Sequence, residues 1–102
     1  MNKLAVIEYL EGLADGSIEP SLPVAGTCTN LIQKFGYQAA DQFYELSIEW
    51  EKFSGDKNFP VPHPEMISVS AYYNVNLWTG EYGDNRRALC AFVAKRMREE
   101  LE

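Results

Sequence analysis

The 102-residue sequence has few of the side chains that hold metals or activate nucleophiles. It contains one histidine, His63, and two cysteines, Cys28 and Cys90. A structural zinc site needs about four close ligands, and a Ser or Cys nucleophile needs a base within reach. His63 stands between Pro62 and Pro64, in a stretch that we expect on the surface. We therefore predict no enzymatic activity, no metal site and no cofactor, and we expect both cysteines to be buried free thiols.

Carboxylates offer one alternative route to metal chemistry. A metal-dependent nuclease would need Asp56, Glu65, Glu81 and Asp84 to converge on one point. The fold would have to bring two separate loops together for this to happen. We therefore do not predict a nuclease site.

Long apolar runs and excess positive charge are also lacking. No run approaches the roughly 18–20 apolar residues of a membrane span, and the first fifteen residues lack the layout of a signal peptide. Nine Lys and Arg residues against 15 Asp and Glu give a net charge of −6, which would repel nucleic-acid phosphates. We expect a soluble, cytoplasmic protein that binds neither membrane nor nucleic acid directly. Both an ordinary acidic surface and a DNA mimic that occupies a basic cleft stay open.

What the sequence does contain is typical of a single globular domain over residues 1–102. Hydrophobic residues make up 46% of it and aromatic residues 13%. Apolar residues recur at helical spacing, which predicts a mostly α fold, a small bundle of about four to five helices with a Pro-rich loop. The predicted helices run from the Asn2 cap to Gly16, from Thr27 or Thr29 to Gly36, from about Gln38 to Lys52, and from the Asp84 cap to about Leu101.

The stretch between the third and last helices is the ambiguous part of the sequence. Three prolines within residues 60–64 predict a rigid, extended crossing. From Ile67 to Leu77 apolar residues alternate as in a strand, yet several are also spaced as in a helix that begins at Pro64. We favour the helix, because no second strand of similar quality is present to pair with.

Two aromatic stretches are the candidate binding sites. The first holds Trp50, Phe53, Asp56 and Phe59 next to the prolines, and a stiff aromatic loop loses little entropy when it binds a partner. The alternative is that its aromatic side chains pin the loop onto the core.

The second stretch holds Trp78, Glu81, Tyr82, Arg86 and Arg87, with glycines on either side of the Glu-Tyr pair. A turn of this kind before a helix suits an anion or a partner carboxylate. The alternative is a tight connection with packed aromatic residues, in which the glutamate pairs with an arginine.

Both stretches are also similar to a motif pattern of small proteins encoded by tailed bacteriophages. The matching segments are W-x2-FSGD-x2-FPVP at residues 50–62 and LWTGEYG-x2-RR at residues 77–87, and they cover about the second half of the chain. The resemblance implies a setting, the cytoplasm of a phage-infected or lysogenic bacterium. It implies no reaction.

These observations lead to three hypotheses for function. The first is a phage accessory protein that binds a host or defence-system protein and inhibits or modulates it. The second is a sponge that sequesters a nucleotide by stacking its base on Trp78 and Tyr82 and neutralising its phosphate with Arg86 and Arg87. The third is a homo-oligomeric structural or regulatory phage protein.

Overall fold

The structure is a computed structural model that describes residues 2–22, 26–54, 78 and 80–101. These residues form four helices, which are α1 (Lys3–Asp15), α2 (Thr27–Phe35), α3 (Tyr37–Ser54) and α4 (Gly80–Leu101). No strand occurs among them, and the predicted small helical bundle is confirmed. The Pro-rich loop and the ambiguous stretch that ends at Leu77 lie outside the described residues.

Helix α1 begins and ends where its capping residues predict. The Asn2 side chain accepts a hydrogen bond from the Ala5 N–H at 3.1 Å, which satisfies one of the unpaired donors of the first turn. Gly16 closes the helix in the left-handed conformation at φ 85°. The prediction for this helix is confirmed at both ends.

Helices α2 and α3 are joined by a single residue, Gly36. Its φ of 96° and ψ of 180° fall in a region that is essentially restricted to glycine. The Gly36 N–H donates to the carbonyls of Leu31 and Ile32 at 3.1 and 2.9 Å, so the last turn of α2 is capped by backbone. The chain can therefore begin α3 at once, at Tyr37.

Two predicted helix caps are wrong. Helix α2 is preceded by Gly26, which makes no side-chain cap, so neither Thr27 nor Thr29 caps it. Helix α4 begins at Gly80, four residues before the predicted cap Asp84. The reason lies at Gly83, where a Cβ atom would overlap the carbonyl group of Trp78. Glycine lets the first turn of α4 form against that carbonyl, although the same residue had indicated a loop.

The helices pack around one apolar core. Helix α4 contacts both α1 and α3, and α2 packs on α3. Helices α3 and α4 run antiparallel, since Gln42 bonds to Glu100 at one end while Trp50 contacts Phe92 towards the other. The fully buried apolar side chains of the core are Val6, Ile7, Leu10, Leu13, Leu31, Ala39, Ala40, Phe43, Cys90 and Val93.

The segment after α1 is held by the fully buried side chain of Asn30. Its Oδ1 accepts from the Leu22 N–H at 2.7 Å, and its Nδ2 donates to the carbonyls of Leu22 and Gly26 at 3.1 and 2.9 Å. One side-chain amide thus provides hydrogen bonds to backbone groups that no helix or strand would otherwise pair. The chain over residues 16–22 is therefore an ordered segment, and Asn30 anchors its end to α2.

Candidate functional site

The described structure includes four side chains from the two predicted binding stretches. They are those of Trp50, Trp78, Arg86 and Arg87. Side chains of the predicted site residues Phe53, Glu81 and Tyr82, and the whole of Asp56 and Phe59, lie outside the part that the structure describes.

Arg87 links α4 to the carboxyl end of α1. Its Nη1 donates to the carbonyl oxygen of Leu13, which is among the last four carbonyls of α1. A cation at this position also interacts favourably with the helix dipole. Its guanidinium carbon lies 5.9 Å from the ring centroid of Trp78, within range of a cation–π contact. Arg87 therefore links α4 to α1 and also contacts Trp78, two residues before α4.

Trp78 is part of the core. Its side chain is 4% exposed, and its carbonyl lies against Gly83 in the first turn of α4. A base that stacked on this ring would have to displace neighbouring protein atoms. Trp78 is thus packed, as in the tight-connection alternative, while the expected pairing of Glu81 with an arginine lies outside the described side chains.

Arg86 and Trp50 are half-buried. Trp50 lies against Phe92 of α4 with ring centroids 5.4 Å apart and planes tilted by 55°, so it contributes to the packing of α3 on α4. Burial raises the pKa of the Cys90 thiol more than the positive charges of Arg87 and Arg86 lower it. The described aromatic residues of both stretches therefore pack within the bundle.

The two cysteines are buried free thiols, as predicted. The Cys90 sulfur lies 3.9 Å from the Thr27 hydroxyl oxygen, and the Cys28 thiol donates to the Ala40 carbonyl at 3.9 Å. Burial raises the pKa of each thiol to about 12, which keeps both protonated and poorly nucleophilic at neutral pH. This cluster has the character of core packing.

An exposed surface that the sequence analysis did not single out lies on α3. Tyr37 is 61% exposed and Ile48 is 39% exposed, and they are two of the four exposed large hydrophobic residues in the described part of the chain. They are eleven residues apart, about three helical turns, and so lie on one side of the helix. Asp41 and Glu45 are exposed between them. We call these four residues the outer face of α3.

Helical spacing in the sequence does carry a signal for this surface. The stripe of Ala39, Phe43, Leu46 and Trp50 identifies the buried side of the helix, which leaves Tyr37 and Ile48 on the opposite side. Isolated exposed hydrophobic residues are common on proteins, however. Their exposure becomes informative only when the packing of all four helices is known.

Among the described residues, no group of three or more His, Cys, Asp or Glu side chains is arranged to hold a metal ion. No helix in the same part of the chain is both long and apolar enough to cross a membrane. Comparisons with protein-family models, curated proteins and solved structures give no match to this chain.

Replacing Arg87 with methionine should lower the free energy of unfolding by about 1–3 kcal/mol, because a buried carbonyl loses a charged donor and Trp78 loses its cation. Arg98→Met is the matched control. Arg98 pairs with Glu11 at 2.6 Å, but both side chains are more than 40% exposed, and such surface pairs contribute about 0–1 kcal/mol. Urea unfolding followed by circular dichroism measures both variants. Equal effects of the two substitutions would contradict the capping role of Arg87.

Proposed function

We propose that this protein is an accessory factor that acts by binding another protein through the outer face of α3. The observation that carries the proposal is the exposure of Tyr37 and Ile48 on one side of a helix whose opposite side is buried. Tyrosine is enriched at protein interfaces because it combines a large apolar ring with a hydrogen-bonding hydroxyl. Two such anchors on a rigid helix form a preorganised surface that loses little entropy on association.

The biological setting is part of the same proposal. The motif resemblance suggests a phage-encoded protein, and the class of partner that suits this setting is a host or defence-system protein whose action is inhibited or modulated. The shortage of catalytic side chains in the sequence agrees with action by binding. The motif resemblance thus supports the phage setting, and the exposed residues of α3 support action by binding.

The nucleotide sponge receives less support from the described contacts. Its stacking platform would include Trp78, which is buried, and its phosphate ligand would include Arg87, which donates to the Leu13 carbonyl. Binding a nucleotide there would cost the contacts that join α1 to α4. A two-fold homodimer formed through the outer face of α3 would place this face against its own copy.

Capture from a bacterial lysate tests the proposal. Three tagged chains are compared: the unchanged protein, the Tyr37→Ala/Ile48→Ala variant, and a Leu4→Ala control that removes an exposed leucine of α1. We expect one partner in stoichiometric amount with the first and third chains, and its loss with the second. Circular dichroism melting curves establish that all three chains are folded.

Two results would overturn this proposal. One is the absence of any stoichiometric partner for the unchanged chain. The other is a partner that all three chains retain equally. A bound nucleotide in an eluate without a protein partner would favour the sponge instead.

A further inference from the structure

The outer face of α3 carries negative charge between its two apolar anchors. Asp41 and Glu45 are one helical turn apart, and both are exposed. Neither forms an ion pair with a described residue. In contrast, Glu49 of the same helix pairs with Arg96 of α4 at 2.6 Å, and Glu11 of α1 pairs with Arg98. The two carboxylates on this face therefore have no ion-pair partner among the described residues.

The sequence between the two anchors also lacks cations. Residues 37–50 contain three acidic residues and no lysine or arginine. The nearest described basic side chain along the sequence, Lys34, lies over the ring of Tyr9 at 5.0 Å from its centroid. Between the two anchors, the charged residues of the sequence are therefore both acidic, while Lys34 and Lys52 stand on either side of this segment.

We propose that the partner offers an apolar groove bordered by lysine or arginine side chains, into which the outer face of α3 docks. This inference rests on the proposed function and adds the chemistry of the partner. An amphipathic helix that lays its apolar anchors into a groove is a common mode of recognition. Tyr37 and Ile48, about 16 Å apart along the helix axis, supply the apolar contacts. The carboxylates of Asp41 and Glu45 speed encounter with a basic surface and fix its orientation.

Charge complementarity also selects among other occupants. A second copy of this chain would bring the same carboxylates together without a cation from this face, and the two chains would each carry a net charge of −6. Nucleic acid would place phosphates against the same carboxylates. A protein surface with an apolar groove and basic borders complements both the apolar anchors and the carboxylates of this face.

Selection from a displayed library of random 16-residue peptides against the immobilised full-length protein tests the inference. We expect the enriched peptides to combine lysine or arginine with aliphatic or aromatic residues. One such peptide is then synthesised, and its affinity is measured by fluorescence anisotropy at several salt concentrations. Since the attraction is partly electrostatic, its affinity should fall as salt rises.

Variants locate the site and separate its two components. The Tyr37→Ala/Ile48→Ala variant should bind the peptide with an affinity about tenfold lower or more, as expected for anchor residues. The Asp41→Asn/Glu45→Gln variant should bind the peptide about tenfold more weakly at low salt. Its affinity should also depend less on the salt concentration. The control Leu4→Ala/Glu8→Gln alters an exposed apolar and acidic pair on α1 and should change the affinity less than about twofold.

Several outcomes would overturn the inference. These are a library that yields no enriched peptide, enriched peptides that are neutral or acidic, an affinity that α3 variants leave unchanged, and dimerisation of the protein through this face in sedimentation. The proposed function fails separately. If lysate capture yields a partner that needs Tyr37 and Ile48 but binds the Asp41→Asn/Glu45→Gln variant equally well, the interface stands and the basic partner does not.

Discussion

Replacing Asn30 with alanine is expected to lower the free energy of unfolding by about 2–4 kcal/mol. The fully buried amide makes three hydrogen bonds to the backbone of Leu22 and Gly26, and each contributes about 1 kcal/mol or more when its loss leaves a partner unsatisfied. For a domain of this size the melting temperature should fall by roughly 10–25 °C. Calorimetry or thermal circular dichroism measures the change.

Two further variants make this prediction specific. Gln33→Ala, at an exposed position of α2, should change the unfolding free energy by less than about 0.5 kcal/mol. Asn30→Asp retains the shape and the acceptor for the Leu22 N–H but places a carboxylate against two carbonyl oxygens. It should destabilise the protein at pH 7 at least as much as alanine does. A stable Asn30→Asp variant would show that the amide donors are not what anchors the segment.

Alkaline pH is expected to destabilise the protein steeply through the two buried thiols. Burial raises their pKa from 9.0 to about 12, so between these values the folded state retains two protons that the unfolded state loses. Their stabilisation is fully present below about pH 9 and is lost as the pH rises towards 12. The slope from both thiols approaches 2.7 kcal/mol per pH unit, at about 1.36 for each proton. Urea unfolding at a series of pH values measures it.

The Cys28→Ala/Cys90→Ala variant separates the thiols from tyrosine and lysine, which titrate in the same range. This variant should be less stable at pH 8, because small cavities remain in the core. Its stability should then fall less steeply between pH 9 and 12 than that of the unchanged protein. Identical slopes for the two proteins would contradict the account of the thiols.

Much of the bundle follows from local signals in the sequence. Helix α1 begins after Asn2, whose side chain caps it, and ends at Gly16, which adopts the left-handed conformation. Both effects act within one helical turn. Gly36 likewise ends α2 through its own backbone conformation. Such signals depend on neighbouring residues alone, so sequence reasoning reaches them.

The start of α4 depends on a contact that local reasoning does not contain. Gly80 and Gly83 indicate a loop by composition, yet Gly83 allows the helix to form directly against the Trp78 carbonyl. Asn30 is a similar case. Its polar side chain would suit a surface turn, but it is fully buried because the backbone of Leu22 and Gly26 lies within its reach. Both features arise from tertiary packing.

The candidate site shows the same division between local and tertiary information. Concentrated aromatic residues marked Trp50, Trp78 and Arg87 as a binding surface, but among the described residues they pack against Phe92, Gly83 and the end of α1. Residue type does not distinguish a packed tryptophan from an exposed one. Exposure does, and it is the reason why Tyr37 and Ile48 of α3 are proposed as the anchors.

Binding through the outer face of α3 is the central claim, and lysate capture with the Tyr37→Ala/Ile48→Ala variant tests it most directly. The account predicts that the unchanged chain and the Leu4→Ala control retain one stoichiometric protein partner while the α3 variant, still folded, loses it. A partner retained in equal amount by the α3 variant, or no partner for any chain, would contradict the claim.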